Sequence, residues 1–304
     1  MRSPTIRAVL VLSTVFLLNM NVLQAAEEDE QFAEWREKSL SDVKTLAESG
    51  DAMAQAAMGH FYWRGHNVDK DQAKGFEWTL KAAESGDARS MNIVGTCYAN
   101  GFGTDFEPKK AYEWFEKSAR GGYENAYYNL AKCYMNGMGV ELSKQKALKW
   151  FEASAGTGDA DAQNLVAQFY MRGVGTVANT EKALHWYEKA AAQDYANAQG
   201  DLALLFLNGD GVPKDEERGI ELLQKAAKNG YPPAMFNLGV LYQTGQGVKA
   251  DLTKALQWYI ISAMLQYPPA NEAGASLAAD LTKVQVNKAK KDAQAWMEAN
   301  APKE

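Results

Sequence analysis

Tyr170-Met171-Arg172-Gly173-Val174-Gly175, followed by Lys182-Ala183-Leu184-His185-Trp186-Tyr187, decides the fold, because the same signals return every 36 residues. At that offset the tyrosine becomes Tyr62, Tyr98, Tyr134, Phe206 and Tyr242, and the glycine becomes Gly65, Gly101, Gly137, Gly209 and Gly245. The tryptophan becomes Trp78, Trp114, Trp150, Leu222 and Trp258. A fixed period of this length without insertions marks a stacked repeat array. Such arrays work through extended surfaces more often than through a buried reaction centre.

Within residues 87–122, Ala88, Ser90, Val94, Gly95, Cys97 and Tyr98 recur as small or apolar positions at helical spacing. Asn100-Gly101 ends that helix, and Pro108 stands where a second one starts. Ala111, Trp114, Phe115, Ser118 and Ala119 carry the second helix to Gly121-Gly122. Each copy therefore reads helix, turn, helix, turn: an all-α solenoid. Small residues at Gly59, Gly95, Ala131, Ala167, Ala203 and Gly239 let backbones approach, and the Trp and Tyr columns are expected to fill the space opposite.

Full copies are expected at 51–86, 87–122, 123–158, 159–194, 195–230 and 231–266. A single capping helix is expected within 26–50, and a partial seventh copy with a final charged helix within 267–304. Thr282-Lys283-Val284-Gln285 has the form of a capping box at the start of that helix.

Residues 1–25 read as a secretory signal peptide: Arg2 and Arg7, an apolar run from Ala8 to Leu18, and an exit at Leu23-Gln24-Ala25-Ala26. Cleavage after Ala25 or Ala26 fits equally. Asn19, Asn21 and Gln24 interrupt the run, which falls short of the roughly 20 residues that span a bilayer, so no integral membrane segment is expected after cleavage. Losing Arg2 and Arg7 takes the formal charge from −6 to −8. An acidic chain repels nucleic acid, so no nucleic acid partner is expected. Cys97 and Cys133 occupy one slot of successive copies and read as buried apolar residues; no disulfide is predicted.

These columns, together with Gly158-Asp159-Ala160-Asp161-Ala162-Gln163 and Ala190-Ala191, resemble the Sel-one-like repeat family, relatives of the tetratricopeptide repeats. The resemblance covers roughly residues 50–280, with Asn67 in place of a turn glycine and Leu222 in place of a tryptophan. It implies a right-handed α/α superhelix acting as an adaptor or regulator in protein complexes. It also implies that bacterial members are often exported to the envelope.

The turn glycines mimic fragments of a dinucleotide loop, but they follow helices, and the phosphate cradle needs a strand before it. His60, His66 and His185 lack a metal-ligand spacing, so neither metal nor cofactor is expected. Ser41-Asp42-Val43-Lys44 and Ser143-Lys144-Gln145-Lys146 have Ser-x-x-Lys spacing without the companion Ser-Asp-Asn and Lys-Thr-Gly elements. The resemblance keeps a weak β-lactamase-like hydrolase as a minor alternative; the main expectation is that the chain is not an enzyme.

Positions that the repeat leaves variable trace a third face of the first helices. That face is expected to be exposed and to bind a partner through Arg89, Asn92, Tyr128, Asn129, Lys132, Asn164, Gln168 and Arg172. Carboxamides offer donors and acceptors to an extended peptide, and the basic residues can pair with a carboxylate. The expected role is a periplasmic or secreted scaffold that binds a protein or peptide of the bacterial cell envelope. The alternative is regulation of a peptidoglycan hydrolase or an effector toxin, with peptidoglycan-associated proteins as partners. An endoplasmic reticulum lumen stays open as a further location.

Overall fold

The computed structural model describes residues 32–300. The leader assigned to 1–25 and the acidic stretch after it lie outside the described residues. The chain divides into two compact units: residues 32–157 with 174–176, and residues 158–173 with 177–300. Both are built of helix hairpins, and no strand occurs among the described residues.

In the first unit α1 (Ala33–Arg36) and α2 (Leu40–Glu48) precede the hairpins α3 (Ala52–Arg64) and α4 (Gln72–Glu84), α5 (Ala88–Asn100) and α6 (Pro108–Arg120), and α7 (Asn125–Asn136) and α8 (Lys144–Gly156). The single capping helix expected within 26–50 is therefore broken. Ser39 is the cause: in extended conformation it caps α2, its hydroxyl accepting from the Asp42 amide at 3.2 Å.

The second unit holds α9 (Ala160–Arg172) with α10 (Thr180–Ala191), α11 (Ala196–Asn208) with α12 (Glu216–Lys228), and α13 (Pro232–Thr244) with α14 (Leu252–Met264). It ends in α15 (Pro268–Ala279) and α16 (Lys283–Ala299), both packed on α14. Thr282 and Gln285 make both bonds of the capping box at the start of α16.

Punctuation is chemical and periodic. Asp71, Ser143, Asn179, Asp215 and Asp251 each accept the backbone N–H three residues on and so start a second helix. Gly65, Gly101, Gly137, Gly173, Gly209 and Gly245 end first helices in the left-handed conformation. The next turn glycine has a second duty. A Cβ on Gly103, Gly139 or Gly175 would overlap the backbone carbonyl oxygen of Gln72, Pro108 or Lys144, the start of the second helix one copy earlier. Asn67 holds the same left-handed turn (φ 57°) in the first copy, where the equivalent place is the end of α1 and no such helix start exists.

The deepest aromatic column is not the tryptophans. Phe115, Phe151 and Tyr259, one position further on, are fully buried, and the ideal Cβ of Gly95 would stand 2.7 Å from the Phe115 ring. The tryptophans are half-buried, with Lys81, Lys117 and Lys189 lying 4.0, 4.2 and 4.7 Å over Trp78, Trp114 and Trp186. A second cation column covers the tyrosines. Lys74, Lys110, Lys146, Lys182 and Lys254 lie 4.3–5.5 Å over Tyr62, Tyr98, Tyr134, Tyr170 and Tyr242. Each such contact contributes on the order of 0.5–1 kcal/mol where exposed.

Candidate partner-binding face

The residues expected to bind a partner fall into both units: Arg89, Asn92, Tyr128, Asn129 and Lys132 in the first, and Asn164, Gln168 and Arg172 in the second. The expectation of an exposed stripe is corrected at four of them. Asn92, Asn129, Lys132 and Asn164 are only 2%, 0%, 6% and 5% exposed.

The reason is that first helices of successive copies lie close enough to exchange side-chain bonds. Asn129 Nδ2 of α7 donates to Asn92 Oδ1 of α5 at 2.9 Å. The variable slots thus line a polar seam between helices. Lys132 lays its ammonium 5.4 Å from the Tyr128 ring centre, and Tyr128 meets Phe151 edge-on at 5.2 Å. Arg89 is half-buried, its guanidinium 5.6 Å from the ring of Phe32, which in turn stacks on His60 at 5.0 Å. Buried Asn129 Oδ1 has no hydrogen-bond partner.

In the second unit Asn164 occupies the slot of Asn92, and its Oδ1 is also buried without a partner. One helical turn along α9, Gln168 Nε2 donates to the Asp201 carboxylate of α11 at 2.9 Å. The Tyr187 hydroxyl of α10 faces the same carboxylate. Burial pushes the Asp201 carboxyl up to about 6, against the opposing pull of Gln168, of the Tyr187 hydroxyl and of the Arg172 charge. Burial also raises the Tyr187 hydroxyl well above its usual range, and the neighbouring Asp201 charge adds to it. Arg172 itself is exposed.

Asp201 lies on the variable face without having been among the expected binding residues, and Tyr187, which shares its hydroxyl with Tyr259 of the same column, lies off that face. Tyr187 brings a hydroxyl where neighbouring copies carry Phe115, Phe151 and Leu223. Asp201 brings a carboxylate where others carry Ala57, Ile93 and Leu165. A further polar column was also missed. Gln55, Gln163 and Gln199 are buried and bond Ser85, Gln193 and Asn229 at 3.0, 2.8 and 3.1 Å, each thirty positions on.

The Ser-x-x-Lys pairs are occupied with structure. Ser143 caps α8 through its hydroxyl while Lys146 lies over Tyr134, and Lys44 pairs with Glu48 at 3.7 Å. Cys97 and Cys133 are buried thiols, both pushed up to about 12 by loss of solvent. Among the described residues no cluster of three or more His, Cys, Asp or Glu could hold a metal ion. No described helix is long and apolar enough to cross a membrane.

The Sel1 repeat pattern matches residues 52–87, 88–123, 125–158, 160–195, 196–231 and 232–267. The chain belongs to the Sel1 repeat family. A crystal structure of a Sel1 repeat protein from Oxalobacter formigenes is similar at 29% identity and a TM-score of 0.66, over 77% of this chain and 68% of that one. The structure of c5321, described as a protective antigen of uropathogenic Escherichia coli with this repeat fold, is 25% identical with a TM-score of 0.49, over 86% and 71% of the two chains. No curated protein matches the chain significantly. A Sel1 repeat scaffold fits a role in protein interaction, and its helix hairpins form an α/α solenoid.

Proposed function

We propose that the chain is a non-catalytic adaptor or regulator of the bacterial cell envelope, and that its first-helix faces bind an extended protein segment. The observation that carries this reading is the pair of buried carboxamide oxygens, Asn129 Oδ1 and Asn164 Oδ1, without donors. A buried acceptor left unpaired costs about 1–3 kcal/mol. The N–H groups of an extended segment are the donors that would repay it, and both oxygens sit on the face that the repeat leaves variable. Tyr128 precedes Asn129 on α7, and Gln168 and Arg172 lie one and two turns beyond Asn164 on α9, each with accessible surface. The envelope placement is supported by the leader-like composition of residues 1–25.

The test is site-specific photocrosslinking in the native host. A crosslinking side chain at Tyr128 or Gln168 should trap a defined envelope protein, whereas the same side chain at exposed Glu113 or Glu221 on second helices should not. Equal capture from all four sites, or none from the first two, would dismiss the reading.

A further inference from the structure

The surroundings of Asp201 hold a chemistry that adaptor function alone does not call for. Among the described residues Asp201 forms no ion pair; its direct hydrogen-bond partner is the neutral Gln168, with the Tyr187 hydroxyl and the Arg172 charge acting on it from nearby. Asn164 stands one turn from Gln168 on α9, in the slot whose counterpart Asn92 bonds Asn129, and Asn129 is the counterpart of Asp201. Repetition of the hairpin therefore gives Asn164, with its unpaired oxygen, the register toward Asp201 that Asn92 has toward Asn129.

Aromatic rings complete the setting. Gly200, beside Asp201, lets the Tyr231 ring approach so closely that a Cβ there would stand 2.5 Å from a ring carbon. Tyr195 donates its hydroxyl to Asp161, a second carboxylate on the exposed edge of α9. A carboxylate with no ion pair and only the exposed Arg172 charge acting on it, an orphan carbonyl oxygen and tyrosine rings together suit an organic cation.

We propose that this part of the second unit is a receptor for one positively charged side chain, arginine or lysine, of the bound segment, with Asp201 as the ionic anchor and Asn164 Oδ1 as the neighbouring acceptor. The inference rests on the first-helix face being the partner surface. It adds the polarity of the ligand: a basic anchor, not an acidic one. The charged and titratable groups facing Asp201 are Arg172 of α9, Tyr187 of α10 and Tyr231 at the start of α13. The tyrosines stay neutral throughout the working range, because burial raises both. Arg172 is the residue that an incoming cation must displace or avoid, and its exposure leaves it free to swing outward.

The experiment uses the full chain and capped alanine pentapeptides with a central arginine, lysine or citrulline, followed by calorimetry or tyrosine fluorescence. The arginine and lysine peptides should bind, with citrulline at least tenfold weaker. Affinity for the cationic peptides should rise about tenfold from pH 5 to pH 7 as the carboxyl ionises around 6. Asp201→Asn should lose about tenfold, Asn164→Ala should weaken binding less, and Glu221→Gln, which removes the same charge elsewhere, should change nothing. Unaltered helicity of the variants excludes misfolding as the cause. If citrulline binds as well as arginine, or Asp201→Asn binds normally, the cation receptor is overturned while the partner surface stands. If no peptide binds at millimolar concentration, both fail.

Discussion

Asn129 Nδ2 reaches across from α7 to donate to Asn92 Oδ1 of α5 at 2.9 Å, in a site where both residues are almost fully buried. Replacing one partner strands the other. Asn92→Leu alone should cost about 1–3 kcal/mol in urea unfolding, because the Asn129 amide is left buried without an acceptor. Adding Asn129→Leu, a residue type its column already carries at Leu165, should recover much of the loss. Additive costs in the double variant would contradict the pairing.

Asp201 predicts an unusual pH slope. Its native carboxyl holds a proton up to about 6, whereas an unfolded aspartate releases it near 3.8. Between those values the native state binds more protons, so stability falls as pH rises through the window and is level above it. The loss is about 2 kcal/mol once the partial solvent contact of the carboxylate is discounted. Asp201→Asn should flatten that slope and raise stability at pH 7; an unchanged pH profile would remove the burial argument.

Gly139 separates backbone strain from crowding. Its φ is 71°, a conformation that asparagine tolerates, as Asn67 demonstrates at 57°. A side chain there nevertheless collides with the Pro108 carbonyl. Gly139→Asn should therefore lower the melting temperature, at a cost of about 1–3 kcal/mol. Asn67→Gly should be nearly silent by the same measurement. A silent Gly139→Asn would show that the turn does not need the close approach.

The thiols of Cys97 and Cys133 should be inert in the native protein. Both are fully buried and pushed up to about 12, so the thiolate fraction at pH 8 is negligible. A disulfide reagent should label them at the rate of unfolding, and promptly in urea. Fast labelling of folded protein would mean that α5 and α7 open locally.

Much of this architecture was readable beforehand, because the period comes from residues with one dominant duty. Glycine after Asn100 or Asn136 closes a helix whatever surrounds it, and Thr282 with Gln285 opens one. The partner face was harder to read. A polar residue on a variable slot reads as solvated, yet Asn92, Asn129 and Asn164 lie between helices, where burial depends on the spacing of neighbouring copies. Ser39 misled for a related reason: its hydroxyl serves a helix interior poorly but a cap well, and the surrounding apolar spacing concealed the break. The Lys74 to Lys254 column was present in plain view; charge alone does not announce that a ring lies beneath it.

The seating of Gly103 on Gln72 and of Gly139 on Pro108 means that each joint consults only its predecessor. Excising residues 87–122 would bring Gly139 down onto Gln72, and the new seam would reproduce an old one. Recombination can therefore add or drop whole copies while the backbone seat of each turn stays the same, and only side-chain pairs such as Asn92 with Asn129 have to be remade at the new seam.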